Sequence, residues 1–188
     1  MGRALKAVVN CNALELNLKK VREIAPNRKI LAMVKANGYG HGIANVVRGF
    51  READGLAVLD LAEAEVARQA GWSKPILMIE GAFSVEDLYQ MQRLDAATVI
   101  TTPEQAEMFL AADTVPRYAW IKLNTGMNRL GFDTGDIPKL IAEISGNNTL
   151  YVKSIFSHLA GAEDECLDGF TDSQAAVFQR NAGALSAA

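Results

Sequence analysis

Short apolar runs rich in β-branched residues recur along the chain at positions 30–34, 56–59, 76–79, 97–100, 119–123 and 152–156. Each is bounded by turn-forming or polar residues and is too short for a buried helix, so each predicts a buried strand. The stretches between them carry helical periodicity. Positions 14–24 place Leu14, Leu18 and Val21 on one face, 61–70 is closed by Gly71, and 85–94 follows the capping residue Ser84. Thr102, Pro103 and Gln105 combine an N-cap, a proline at the first helical position and a capping-box partner. Two further helical stretches, 137–144 and 173–185, complete a regular alternation of strand and helix.

Apolar strands that alternate with amphipathic helices build right-handed βαβ units, hence a parallel sheet with helices outside it. The expected strand starts, 30, 56, 76, 97, 119 and 152, suit either a (β/α) barrel or a doubly wound sheet, and periodicity does not separate the two. A complete (β/α)8 TIM-type barrel needs eight strands in about 250 residues. This chain has 188 residues and six candidate strands, so the expectation is either an open sheet or about six of eight βα units of an incomplete barrel. No low-complexity stretch, linker or internal repeat interrupts it, and residues 1–188 read as one domain.

Composition narrows the partners. A formal charge of -3 with scattered basic residues offers no patch for nucleic acid. No apolar run approaches the roughly 20 residues that cross a bilayer, and Met1 to Lys6 is too short and polar for a signal peptide. A cytoplasmic protein is expected. Cys11 and Cys166 lack CxxC spacing and neighbouring ligands, so both are expected as reduced thiols. With His41 and His158 as the two histidines and no HExxH, no metal centre is expected.

Functional groups in such folds collect on the loops after the C-terminal strand ends, and three of these ends carry distinctive residues. The first is Val34-Lys35-Ala36-Asn37-Gly38-Tyr39-Gly40-His41-Gly42. A lysine directly after an apolar strand is costly to desolvate as an ammonium, and that burial favours the neutral amine that attacks an aldehyde. Without other signals, a lysine there simply reaches water. The glycines permit close backbone approach to a ligand, and the Tyr39 hydroxyl is a potential phosphate donor. Gly38, Gly40 and Gly42 do not form the GxGxxG dinucleotide fingerprint. The second end runs from Trp120 through Lys122, Asn124-Thr125-Gly126-Met127-Asn128-Arg129 and Gly131. Lys122 within an apolar strand needs a partner or a modification, and Arg129 in a glycine-flanked loop suits a carboxylate or phenolate oxygen. The third is Ser157-His158-Leu159-Ala160, where a lone histidine is by itself more often a satisfied core group than a catalytic one.

The run from Val34 to Gly42 resembles the signature of bacterial alanine racemases that contains the pyridoxal-phosphate (PLP) lysine. The resemblance implies that Lys35 binds PLP covalently and acts in catalysis, and that Tyr39 contacts the phosphate. The run from Lys122 to Gly131 is similar to that family's K-x-D-T-G-M-x-R-x-G segment. It implies that Lys122 is a site lysine, often carbamylated, hydrogen-bonded to Arg129, and that Arg129 faces the cofactor's phenolic oxygen. Asn124 replaces the more frequent Asp, read as a tolerable change. Ser157-His158-Leu159-Ala160 resembles the S-H-x-A segment, whose imidazole packs against the cofactor ring. Ser186 does not fit the family's phosphate-binding Asn-Ser-Ala, because Leu185 stands where Asn belongs.

The resemblance covers nearly the whole chain but about half of a full-length racemase. It implies an incomplete barrel without the C-terminal β domain. In the family that domain of the partner subunit supplies the tyrosine that moves a proton on the second face of the substrate, and a late barrel arginine touches the pyridine nitrogen. Tyr39, Tyr89, Tyr118 and Tyr151 do not lie in a segment resembling that tyrosine's motif. The resemblance therefore implies PLP-dependent interconversion of L- and D-alanine, for peptidoglycan precursors or alanine catabolism. It further implies homodimerisation or association with the missing C-terminal part, weak PLP binding and little activity of this chain alone. The competing readings are a non-catalytic PLP-binding barrel that acts as a cofactor carrier, and a degenerate or truncated product.

Overall fold

The computed structural model describes residues 5–146 and 150–183. All six expected strands form, at β1 (Leu31–Met33), β2 (Gly55–Val58), β3 (Ile76–Met78), β4 (Ala96–Ile100), β5 (Tyr118–Lys122) and β6 (Tyr151–Phe156). They belong to one sheet whose order, β1-β2-β3-β4-β5-β6, is the order of the sequence. A doubly wound sheet reverses direction at a switch point and would break that order, so the barrel-type winding is the one adopted.

The chain divides into two compact units, Met1–Leu77 and Met78–Ala188. In the first, β1 and β2 pair in parallel, Leu31 opposite Gly55 and Met33 opposite Ala57. Every residue of β2 is buried, as expected of a parallel strand covered on both faces. Helix α1 (Cys11–Ile24) starts at Asn10, whose side chain accepts from the Asn12 and Ala13 amides. It packs across α3 (Ile43–Gly49), an element the sequence reading did not assign. Its Ile43, Val46 and Val47 follow i, i+3, i+4 spacing and are buried, but two turns rich in β-branched residues give too short a helical signal. Helix α4 (Leu61–Gln69) is capped by Asp60, which accepts from the Glu63 amide. Asp54 joins α1 to the start of β1, accepting from the Ile30 amide at 2.7 Å and from Arg22 at 2.6 Å. Those two donors, the amide foremost, hold its carboxyl below the ordinary aspartate range.

In the second unit β4, β5 and β6 are parallel. The register slips after Ala119, so that Val152 faces Ala119 while Ser154 faces Trp120, leaving Lys153 as an extra residue. Helix α5 (Val85–Arg93) carries a full capping box between Ser84 and Asp87. Helix α6 (Pro103–Ala111) has the expected N-cap and proline. Gln105, however, does not close the capping box expected of it: its Oε1 accepts from the Thr101 amide and hydroxyl, and its Nε2 donates to the Glu80 and Ala82 carbonyls. The loop carbonyls after β3 supply acceptors that a local reading of 102–105 does not contain. Helix α7 (Ile137–Ser145) buries Ile137, Leu140, Ile141 and Ile144 on one stripe. Helix α8 (Asp168–Ala182) begins earlier than expected because a 3-10 turn, Glu165–Leu167, capped by Asp164, leads directly into it. Leu185 and Ser186 lie outside the described residues.

Cys11 and Cys166 are both free. Among the described residues no group of acidic, Cys and His side chains is placed to hold a metal ion, and no helix is long and apolar enough to cross a membrane.

Two measurements check these supports. A Cβ on Gly49 would lie 2.5 Å from Leu14 Cβ and 3.2 Å from the Cys11 carbonyl oxygen. Gly49→Ala therefore pries α3 from α1 and costs about 1–3 kcal/mol in urea unfolding. Asp54 contributes stability in full above its ordinary value of 3.8, and loses it as pH falls through its lowered native value. Asp54→Asn is thus expected to melt below the unaltered chain at neutral pH, with the gap closing in acid.

Candidate active site

At the end of β1 the Val34 amide donates to the Ala57 carbonyl at 2.9 Å, extending the pairing with β2. Lys35, half-buried, then opens a single turn, α2 (Lys35–Tyr39), that is not right-handed. Ala36, Asn37, Gly38 and Tyr39 have φ of 51°, 53°, 65° and 52°. For each of the three non-glycine residues that conformation costs roughly 1–2 kcal/mol, so neighbouring groups must hold it. Bonds from the Gly38 amide to the Val34 carbonyl (2.8 Å) and from Gly40 to Ala36 (3.0 Å) close the turn. Asn37 Oδ1 accepts from the Ile43 amide at 3.0 Å and so ties the turn to α3. Gly38 is packed against Val46, where a Cβ would come within 2.9 Å of Cγ1. The Glu63 carboxylate accepts from Asn37 N–H at 2.9 Å and from Leu59 N–H, at the end of β2, at 3.0 Å. Tyr39 is 57% exposed, which leaves its hydroxyl available to a ligand. Lys35 and Tyr39 thus sit at the two ends of one tightly held turn.

The second unit carries the other expected residues. Lys122 closes β5 at 8% exposure, its ammonium 5.9 Å from the centre of the Phe156 ring. Burial, and then the positive charge of Arg129, lower its pKa, while the negative charge of Glu80 opposes them. Beyond Lys122 the chain makes an arch and returns: Asn124 N–H donates to the Phe132 carbonyl and Phe132 N–H to the Lys122 carbonyl, both at 2.9 Å. Asn124 organises the arch. Its Oδ1 accepts from the Gly126 and Asn128 amides at 3.1 Å, and its Nδ2 donates to Asn128 Oδ1 at 2.9 Å. Gly131, at φ 115°, lets the returning strand pass close, since a Cβ there would stand 2.9 Å from the Lys122 carbonyl oxygen. Arg129 is held on this arch with its side chain exposed.

After β6, Ser157 Oγ and Thr125 Oγ1 are 2.7 Å apart, and His158 stands exposed. Gln174 of α8, fully buried, links these two loops. Its Nε2 donates to Thr125 Oγ1 (3.0 Å) and to the His158 carbonyl (2.9 Å), and its Oε1 accepts from the Ala160 amide (3.0 Å). A cleft of about 350 Å³ bordered by Thr125, Ser157, Leu159 and Gln174 opens beside this network.

Each expected site residue therefore follows, or ends, a strand: Lys35 and Tyr39 after β1, Lys122 and Arg129 at and after β5, His158 after β6. The sequence reading missed Glu63 and Gln174. Glu63 had a signal, an acidic residue at the third position of a helix behind the Asp60 cap, but that pattern ordinarily means a local capping box. Gln174 lay within an unremarkable helical stretch, and its partners are remote in sequence.

Comparison with known proteins adds lineage. The family model described as "Alanine racemase, N-terminal domain" matches residues 9–188. The alanine racemase of Verminephrobacter eiseniae is 47% identical over 133 residues, 70% of this chain and 36% of that protein. The crystal structure of the biosynthetic alanine racemase from Pseudomonas aeruginosa superposes with a TM-score of 0.83 at 35% identity, covering 92% of this chain and 48% of that one. A histidine racemase from Leuconostoc mesenteroides gives a TM-score of 0.76 at 26% identity over 90% of this chain and 46% of that one. The chain spans about half, or less, of the length of these relatives. The sheet accordingly has the all-parallel α/β barrel-type winding of the racemase structures, of whose length the chain covers about half. On the family match and the strand-end residues together, this chain belongs to the alanine racemase N-terminal domain family.

Proposed function

We propose that this chain is the cofactor-bearing part of a PLP-dependent racemase acting on alanine. The observation that carries the reading is Lys35, half-buried at the head of a left-handed turn whose other end presents the Tyr39 hydroxyl. The residue types that the resemblance names suit PLP by their chemistry: a lysine amine for its aldehyde and a phenol for its phosphate in the first unit, a guanidinium for its phenolic oxygen and an imidazole for its ring face in the second.

When bound, PLP supplies a sink for the negative charge left on the substrate's α-carbon after proton loss. The chain's own residues do the rest. Lys35 would hold the cofactor, and its Nζ would move a proton on one face of the substrate. Tyr39 would donate to the phosphate, Arg129 would balance the phenolic oxygen and His158 would pack against the ring. The second face needs a proton carrier of its own, and the reading gives that role to a tyrosine of a partner subunit's C-terminal domain, in a homodimer or an association with the C-terminal part. Alanine is preferred as substrate on the names of the relatives, and cytoplasmic action follows from the same reading.

Lys122 has a distinct role in this proposal. A buried amine with a lowered pKa is neutral more often than an ordinary lysine and can add carbon dioxide at Nζ, releasing one proton and leaving a carbamate. That group is negative, so the repulsion from Arg129 becomes attraction and the guanidinium is steadied.

Two experiments test the reading. Borohydride reduction of the chain with PLP, followed by peptide mapping, is expected to label Lys35, with the label lost in Lys35→Ala and alanine racemisation by the chain alone far below that of a full-length racemase. Labelling at another lysine sinks the assignment, and full-length rates without a second polypeptide sink the need for an external proton carrier. With 13C-bicarbonate, one carbamate resonance is expected that is absent in Lys122→Met; its persistence in that variant removes the role given to Lys122.

A further inference from the structure

We propose that Glu63 is a positioning residue for Lys35, holding the left-handed turn in the form that lets the lysine and Tyr39 address one ligand. The inference rests on the role proposed for Lys35. Glu63 is 9% exposed and sits in the first turn of α4, where its own amide is fixed by Asp60 Oδ1 at 2.8 Å. From that anchor its two carboxylate oxygens each take one backbone donor, Oε1 from Asn37 at 2.9 Å and Oε2 from Leu59 at 3.0 Å. The carboxylate is stabilised by these amides and by the positive end of the helix.

The arrangement needs two acceptors on one rigid group. Glutamine keeps one carbonyl oxygen and turns an NH2 toward the other amide, setting donor against donor. One of Asn37 and Leu59 would then lose its protein acceptor, and the turn one of the bonds that hold it. Asn37 is the member under strain, lying between Ala36 and Gly38 with all three at positive φ. Losing its bond releases the turn toward ordinary backbone, and the direction of Lys35 and Tyr39 changes with it. Glycine populates this region freely, so a glycine at Ala36 lowers the turn's dependence on Glu63. The Ala36 side chain is exposed, and such a change removes little else.

The test uses the 188-residue chain, PLP titration by absorbance of the bound cofactor, borohydride trapping at Lys35 and amide hydrogen exchange. Glu63→Gln is expected to weaken PLP binding by about tenfold or more, to lower trapping at Lys35 and to speed exchange at Asn37. Glu65→Gln, which removes an exposed charge from the same helix, is expected to change none of these. Adding Ala36→Gly to Glu63→Gln is expected to restore a large part of the lost binding, which a general loss of stability does not explain. Unchanged binding in Glu63→Gln, an equal loss in Glu65→Gln, or no recovery with Ala36→Gly overturns the proposal. Should Glu63→Gln fail to fold, exchange in the unaltered chain decides: protection of Asn37 matching that of Leu59 upholds the proposal, and Asn37 exchanging like an open loop amide overturns it. PLP trapped on a different lysine of the unaltered chain would overturn the function proposed for Lys35 while leaving the exchange result to stand by itself.

Discussion

Parallel strands deliver their functional residues on loops, and every loop amide withdrawn from water needs an acceptor that the strands no longer provide. Much of this structure answers that requirement. Glu63 takes the amides of Asn37 and Leu59, Gln105 takes that of Thr101, and Gln174 takes that of Ala160. Each of these side chains comes from a helix and reaches a loop that follows a strand. The helices therefore do more than cover the sheet. They carry the long polar side chains that fix loop conformation, and a conformation so fixed can place a lysine, a tyrosine or an arginine within the tolerance that chemistry demands.

The turn after β1 has the least favourable local conformation in the first unit. Ala36, Asn37 and Tyr39 sit in a region that L-residues avoid, and such strain persists when surrounding bonds over-determine it. Here those bonds come from Glu63, from Ile43 to Asn37 and from the turn itself. Lys122 is the comparable exception in the second unit. A buried cation beside an exposed arginine is unfavourable in isolation, and nothing in packing alone calls for it. Local rules fail at these two places, which are also where the chemistry-bearing residues stand.

The strands and most helices were legible because burial on a parallel sheet writes itself as apolar runs, and because Ser84 and Thr102 sit where helices begin and Gly71 where one ends. The candidate site residues stood out as motifs, each at a strand end. What the sequence hid depends on distance. Gln105 looked like a capping-box partner because only Thr102 was in view, whereas its acceptors lie after β3. Gln174 bonds to Thr125, 49 residues away. The left-handed turn was hidden for a different reason: Gly38 and Gly40 permit such a conformation, but Ala36 and Tyr39 do not advertise it, and the acceptor that holds it comes from α4. The bulge at Lys153 likewise has no local signature, since an extra residue shows only against the register of β5.

Asn124 illustrates how a departure from a family's usual residue is absorbed. An aspartate there would accept from the Gly126 and Asn128 amides just as well, so the arch itself does not select asparagine. The third contact, in which Nδ2 donates to Asn128 Oδ1, is one that an aspartate makes only in reverse, with the Asn128 amide turned to donate. Asn128 has φ 56°, a conformation asparagine tolerates better than most residues, so position 128 and position 124 support each other. The exchange also removes a negative charge from the arch that carries Arg129. Glu80 is the acidic group that opposes burial and Arg129 at Lys122. The substitution thus preserves the loop's shape while removing one acidic group from it.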